Sequence, residues 1–71
     1  MNHKKFAISF INFFDNHLDM QMVLAETAAD AMRCYLRVNQ GWNTADLKDF
    51  NEREIRIYVA DCDCAIAYLE L

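Results

Sequence analysis

The stretch KFAISFINFF, residues 5–14, decides the fold, because apolar side chains occupy both of its alternating faces. Successive side chains of a strand point to opposite sides of a sheet. One face carries Phe6, Ile8, Phe10 and Phe14, and the other carries Ala7, Ser9, Ile11 and Phe13. A strand that is apolar on both faces is typical of the centre of a sheet, so we expect residues 5–14 to form a central strand.

The residues that follow predict a turn and a second strand. Asp15, Asn16 and His17 are turn-forming residue types. Residues 18–26 then alternate, with an apolar face on one side and Asp19 and Gln21 on the other. The apolar face consists of Leu18, Met20, Met22 and Leu24. We expect an antiparallel hairpin in which Asp19 and Gln21 point outward, on the side of the sheet away from the helices.

A helix is predicted over residues 28–38. Thr27 is a suitable N-cap, and Asp30, three residues on, takes the place of the usual Glu in a capping box. The apolar positions that recur at helical spacing are Ala28, Ala31, Met32, Tyr35 and Leu36. This spacing leaves Asp30, Arg33 and Arg37 on the solvent side. Gly41 suits the left-handed position just past the helix end.

Residues 43–60 allow two interpretations. A helix capped by Asn43 or Thr44 accounts for the apolar positions Leu47, Phe50, Ile57 and Tyr58. A strand accounts instead for the alternating β-branched residues Ile55, Ile57 and Val59. We favour the helix. Residues 64–71 predict a buried final strand.

These elements predict a single α+β domain over residues 1–71. After the hairpin, two helices would return the chain so that the final strand lies beside the first and parallel to it. The expected architecture is a three-stranded mixed sheet of order 2-1-3, with one or two helices packed on one face. This order places the strand that is apolar on both sides in the centre.

Composition and charge narrow the function. The 71 residues are 55% hydrophobic and carry a net charge of −4, which argues against nonspecific nucleic-acid binding, since that requires Lys and Arg to neutralise phosphates. The longest apolar run, residues 6–14, falls short of the roughly 18–20 residues that a membrane span needs. An odd number of cysteines suits the reducing cytoplasm, where we expect the protein.

The candidate metal ligands are Cys62 and Cys64, which alternate with Asp61 and Asp63. A lone Cys-x-Cys pair is a weak signal, because structural zinc sites usually draw four ligands from two separated pairs. No cofactor motif is present, and no nucleophile has the flanking residues that would activate it. We therefore expect no enzymatic activity, and we keep a small ligand or metal binder built on Cys62 and Cys64 as the alternative.

A partner-binding site is predicted around Trp42, because tryptophan is enriched at binding hot spots. We expect Trp42, Asp46, Asp49, Asp19 and Gln21 to form an aromatic anchor ringed by polar and acidic groups, suited to a basic protein surface. Two other interpretations stay open. In one, Trp42 closes the small core as a lid. In the other, the exposed edge of the second strand supports a homodimer or a self-associating structural module.

Four segments carry a resemblance to a known class of proteins: FINFFDN at residues 10–16, LAET at 24–27, DAMRCYL at 30–36 and DCDCAIAYLEL at 61–71. Together they resemble small proteins encoded by tailed bacteriophages. The ββα(α)β plan is also similar to that of host-takeover inhibitors and anti-CRISPR proteins. The resemblance implies a phage-encoded inhibitor that binds a host protein in the host cytoplasm, and a nucleic-acid-binding effector is one candidate for that protein. It contains no functional motif, so no site residue carries over.

Overall fold

In a computed structural model, the structure is described for residues 3–71; the first two residues of the predicted domain lie outside this range. The elements are β1 (Lys4–Asn12), β2 (His17–Ala25), α1 (Ala28–Asn39), a 3-10 turn (Ala45–Leu47), α2 (Glu52–Asp61) and β3 (Cys64–Glu70). The strands form one sheet of order β2-β1-β3. The α+β class and the strand order 2-1-3 are confirmed. Among residues 3–71 no helix is both long and apolar enough to cross a membrane.

The sheet is entirely antiparallel, so the prediction of a mixed sheet is wrong. β1 pairs antiparallel with β2 and also with β3. The start of β3 lies beside the end of β1, where the Phe13 amide donates to the Asp63 carbonyl at 3.0 Å. At the other end of the sheet the Leu71 amide donates to the Lys5 carbonyl at 2.9 Å. β3 therefore runs opposite to β1.

The connection between the helices explains this reversal. For the final strand to run parallel to β1, the two helices would have to return the chain to the end of the sheet where β1 begins. Arg33, in the second turn of α1, instead donates to the carbonyls of Leu47 and Phe50, just before α2. Residues 40–51 thus lead the chain back, both helices start near the same end of the sheet, and α2 ends where β1 ends.

Local signals position the helix ends. Thr27 caps α1 by accepting from the Asp30 amide at 3.1 Å, as predicted. Gly41 has φ of 71°, the left-handed conformation expected after the helix. α2 begins later than Asn43 or Thr44, because Asn51 and Glu54 form a reciprocal capping box at 2.9 and 3.0 Å. Residues 52–61 are therefore helical, and the strand interpretation is wrong.

The core lies between one face of the sheet and the two helices. Phe6, Ile8 and Phe10 of β1 are completely buried on this face. The helices contribute their buried stripes, which are Ala29, Ala31, Met32, Tyr35 and Leu36 from α1 and Ile55 and Val59 from α2. Since both helices pack on the same side, the other side of the sheet is left without a covering layer within residues 3–71.

Candidate functional site

Trp42 closes the core and is only half-buried. Its ring packs edge-on against the Phe10 ring, with the two centroids 5.9 Å apart and the ring planes at 86°. The centroid of the Trp42 ring is also 6.4 Å from that of Tyr58. The Trp42 amide also donates to the Leu36 carbonyl at 3.0 Å, which holds it against the end of α1. This geometry matches the lid interpretation, and it leaves part of the ring accessible beside α2.

The aromatic contacts continue from Trp42 to a groove on the surface of α2. Phe50 and Tyr58 pack edge to face, with centroids 6.3 Å apart. They line a groove of about 310 Å³, which we call the α2 groove; its lining residues are Phe50, Glu54, Ile57, Tyr58 and Asp61. Ile57 is 55% exposed, although it lies in the middle of a helix. The groove therefore offers apolar surface to solvent.

The chemistry of the α2 groove suits a cation on an apolar stem. Glu54 and Asp61 are exposed and lie two helical turns apart, so their carboxylates flank the apolar centre formed by Ile57 and Tyr58. A Lys or Arg side chain matches this arrangement, since its methylene stem packs on apolar surface while its charged end reaches a carboxylate. The face of an aromatic ring also attracts a cation.

Asp46 and Asp49 lie on the connection that leads into Phe50. Both are exposed, Asp46 in the 3-10 turn and Asp49 just after it. They extend the run of carboxylates that precedes the α2 groove in the chain. Their predicted role in partner binding stays a prediction.

Asp19 and Gln21 lie on the helix side of the sheet, so their predicted outward placement is wrong. Asp19 pairs with Phe10 in the sheet, and its carboxylate accepts from the Tyr35 hydroxyl at 2.7 Å. Gln40 in turn donates to that hydroxyl at 2.8 Å. The Tyr35 hydrogen bond lowers the pKa of Asp19, while burial raises the pKa of Tyr35 to about 12. Asp19 thus joins β2 to α1.

The position of the hairpin turn explains why the two faces of β2 are exchanged relative to the prediction. A turn over residues 15–17 would pair Phe14 with Leu18 and place Leu18 on the core face. The strand β1 instead ends at Asn12, which pairs with His17. The Asn12 side chain accepts from the Phe14 amide at 2.9 Å, so the turn begins at residue 13. The register is thus shifted by three residues, and any odd-numbered shift exchanges the two faces of a strand.

Because the apolar side chains of β2 lie on the side away from the helices, a large apolar surface is open to solvent. We call it the open sheet face. β2 contributes four large side chains to it that are between 56% and 71% exposed. The full set is Lys5, Ala7, Ser9 and Ile11 from β1, Leu18, Met20, Met22 and Leu24 from β2, and Ala65, Ala67 and Leu69 from β3. A shallow depression of about 180 Å³ lies over the small residues at the centre.

Cys62 and Cys64 lie in different environments. Cys62 is exposed at the end of α2, whereas Cys64 is buried at the start of β3. Burial raises the pKa of the Cys64 thiol, which disfavours the thiolate that a metal or a nucleophilic reaction requires. Within residues 3–71 no three His, Cys, Asp or Glu side chains are grouped closely enough to hold a metal ion.

Two candidate surfaces, the α2 groove and the open sheet face, were not identified from the sequence. A signal for the α2 groove was present, because Glu54, Ile57, Tyr58 and Asp61 follow helical spacing on the outer side of α2. The open sheet face had no comparable signal, since both faces of β1 are largely apolar and the alternation of β2 favoured the opposite side for its apolar residues. Comparison of the chain with protein-family models, curated proteins and solved structures found no match.

Proposed function

We propose that this chain is a non-enzymatic inhibitor that binds a basic surface of a host protein through the α2 groove. The observation that carries this proposal is the combination of exposed Ile57 and half-buried Tyr58 with a carboxylate at each end of the same groove. Aromatic and apolar groups at the centre of a surface with charged groups at its rim are typical of protein-binding sites.

The charge of the protein supports a basic partner. The net charge is −4, and the Asp46 and Asp49 carboxylates precede the groove. Complementary charge speeds encounter and selects partners more than it adds affinity. A protein surface that normally holds DNA or RNA offers such basic side chains. The resemblance to phage-encoded inhibitors supports a host effector of this kind, and we propose an anti-defence target of the anti-CRISPR type.

A pair of charge-neutralised variants tests the proposal. Glu54→Gln with Asp61→Asn removes both groove carboxylates, and Gln at position 54 can still complete the capping box with Asn51. Asp15→Asn with Glu26→Gln removes the same number of charges from exposed positions outside the groove. The wild-type protein and both double variants are used to capture proteins from host lysate, and captured proteins are identified by mass spectrometry.

We expect the wild type and the Asp15/Glu26 variant to capture the same host protein, and the groove variant to bind it about tenfold more weakly or worse. Binding by the wild type should weaken as salt is raised, because salt screens exposed charges. Nucleic acid added to the captured complex should compete with the inhibitor. Equal capture by all three proteins, or capture that is insensitive to salt, would show that the α2 groove is not the binding site.

Trp42 is a poor first target for mutation, because it packs on Phe10 as well as facing α2. Trp42→Ala therefore loses core contacts, and a loss of binding would not distinguish a missing contact from a weakened fold. Asp46→Lys with Asp49→Lys changes only exposed groups and tests whether the connection belongs to the interface. We expect weaker binding with an unchanged melting temperature.

A further inference from the structure

We propose that a second copy of this chain covers the open sheet face, so that two sheets pack face to face in a two-fold symmetric dimer. The proposal concerns a different surface from the α2 groove and does not depend on the inhibitor function.

The size of the open sheet face suits a stable interface. β1 and β2 each have nine residues and β3 has seven. Three strands about 4.8 Å apart and rising about 3.4 Å per residue give a face roughly 15 Å by 25 Å, with an accessible area of about 600 Å² once its protruding side chains are included. This area is at or above the largest apolar patch of a typical monomer and near the roughly 800 Å² that each partner buries in a standard interface.

The relief of the open sheet face is self-complementary. The long side chains of β2 form a ridge along one side: Leu18, Met20, Met22 and Leu24. The small residues of β1 and β3 form a trough beside it, between the larger Ile11 near one end and Leu69 near the other: Ala7, Ser9, Ala65 and Ala67. The depression of about 180 Å³ lies in this trough. The ridge of one copy can therefore fit into the trough of another copy.

One symmetry operation places both ridges in both troughs. A two-fold axis that runs along the strands, between β2 and β1, carries the ridge of each copy over the trough of the other. An axis across the strands would instead bring ridge against ridge. In the first arrangement Met20 of one copy lies opposite Ser9 and Ala67 of the other, because Met20, Ser9 and Ala67 share one level of the sheet. Face-to-face sheets of this kind form a core about 10 Å thick.

The chemistry of the face favours a second copy over an unlike partner. Lys5, at the end of the face beside Leu24, is its one charged side chain, and its stem can lie on apolar surface while its ammonium reaches water. The centre of the face therefore meets a second copy without burying a charge, which would be costly. The face is exposed as soon as the chain folds, and a second copy is then always present at the same concentration. The α2 groove lies on the helix side, so the dimer leaves both grooves open and can bind two sites at once.

Neighbouring residues on β2 supply a matched test. Met20 and Gln21 are both exposed, but Met20 belongs to the open sheet face and Gln21 to the opposite side. Met20→Glu puts a carboxylate into the proposed interface, and Gln21→Glu puts the same group on the same strand outside it. Ala67→Phe fills the trough without adding charge. The mass of each protein in solution is measured by sedimentation over a micromolar concentration range, with circular dichroism as the check on folding.

We expect the wild type and Gln21→Glu to be dimers, and Met20→Glu and Ala67→Phe to dissociate at concentrations at least about 100-fold higher than the wild type does. A wild-type monomer throughout the range would overturn the proposal. A dimer that survives both Met20→Glu and Ala67→Phe would also overturn it, and would indicate pairing through the edge of β2 instead. If Met20→Glu fails to fold, Ala67→Phe decides.

Discussion

Arg33 provides a direct test of how the connection between the helices is held. Its guanidinium donates to the Leu47 carbonyl at 3.0 Å, to the Phe50 carbonyl at 2.6 Å and to the Asp30 carboxylate at 2.6 Å. The Arg33 side chain is 18% exposed. Prediction from helical spacing placed Arg33 on a featureless solvent side. The structure shows instead that it joins α1 to the residues that precede α2.

Arg33→Met keeps the apolar stem and removes every hydrogen bond. A hydrogen bond to a charged group contributes about 1.5–3 kcal/mol net, and the pair with the half-exposed Asp30 side chain adds little. Water can replace part of what the two carbonyls lose, so we expect the free energy of unfolding to fall by about 2–3 kcal/mol. A domain of this size has about 4–10 kcal/mol in total, and the melting temperature should fall by about 10–20 °C.

Thermal and urea unfolding measure the effect, with Arg37→Met as the control. Arg37 is exposed in the last turn of the same helix, so its removal should cost about 0.5 kcal/mol through the helix dipole. Amide hydrogen exchange should also quicken at Phe50, whose amide donates to the Leu47 carbonyl at 3.0 Å. If the two variants unfold within about 0.5 kcal/mol of each other, Arg33 does not hold the connection and the reasoning fails.

Two further predictions concern the helix cap and the Tyr35 network. Asn51→Ala removes the cap of α2 and should cost about 1 kcal/mol in urea unfolding, whereas Asn51→Asp should cost much less; equal losses would argue against the cap. The lowered pKa of Asp19 stabilises the fold above its ordinary value of 3.8, and this contribution is lost as the pH falls below that value. The raised pKa of Tyr35 leaves stability unaffected below pH 10.0 and reduces it between pH 10.0 and about 12. In Tyr35→Phe, the loss of stability at acidic pH and the loss at alkaline pH should both become smaller. If both losses match those of the wild type, the network contributes nothing to stability.

The Arg33 result also affects how partner binding is tested. Helical spacing alone suggests Arg33 with Arg37 as a control pair for the α2 groove, since it places both on the solvent side. Because Arg33 holds the carbonyl of Phe50, which lines the groove, changing it would disturb the groove indirectly. Arg37 alone is the suitable control from α1.

Much of the fold was determined by local properties of the sequence. The two-sided apolar pattern of residues 5–14 identified the central strand, and Thr27 and Gly41 marked the ends of α1. These signals are local, because a strand's alternation, a cap and a left-handed glycine each depend on residues a few positions apart. The strand order followed from them, since the strand that is apolar on both sides belongs in the middle.

The tertiary structure decided the features that local patterns leave equivalent. One such feature is the face of β2 that lies against the helices, which depends on where the hairpin turn begins. The Asn12 side chain fixes the start of the turn at residue 13, and the resulting register turns Asp19 and Gln21 towards the helices. The direction of β3 depended on a long connection whose path is held by Arg33, a contact between residues far apart in the chain. The sequence alone therefore determined which segments are strands and helices, while long-range contacts decided which surfaces those elements present to a partner.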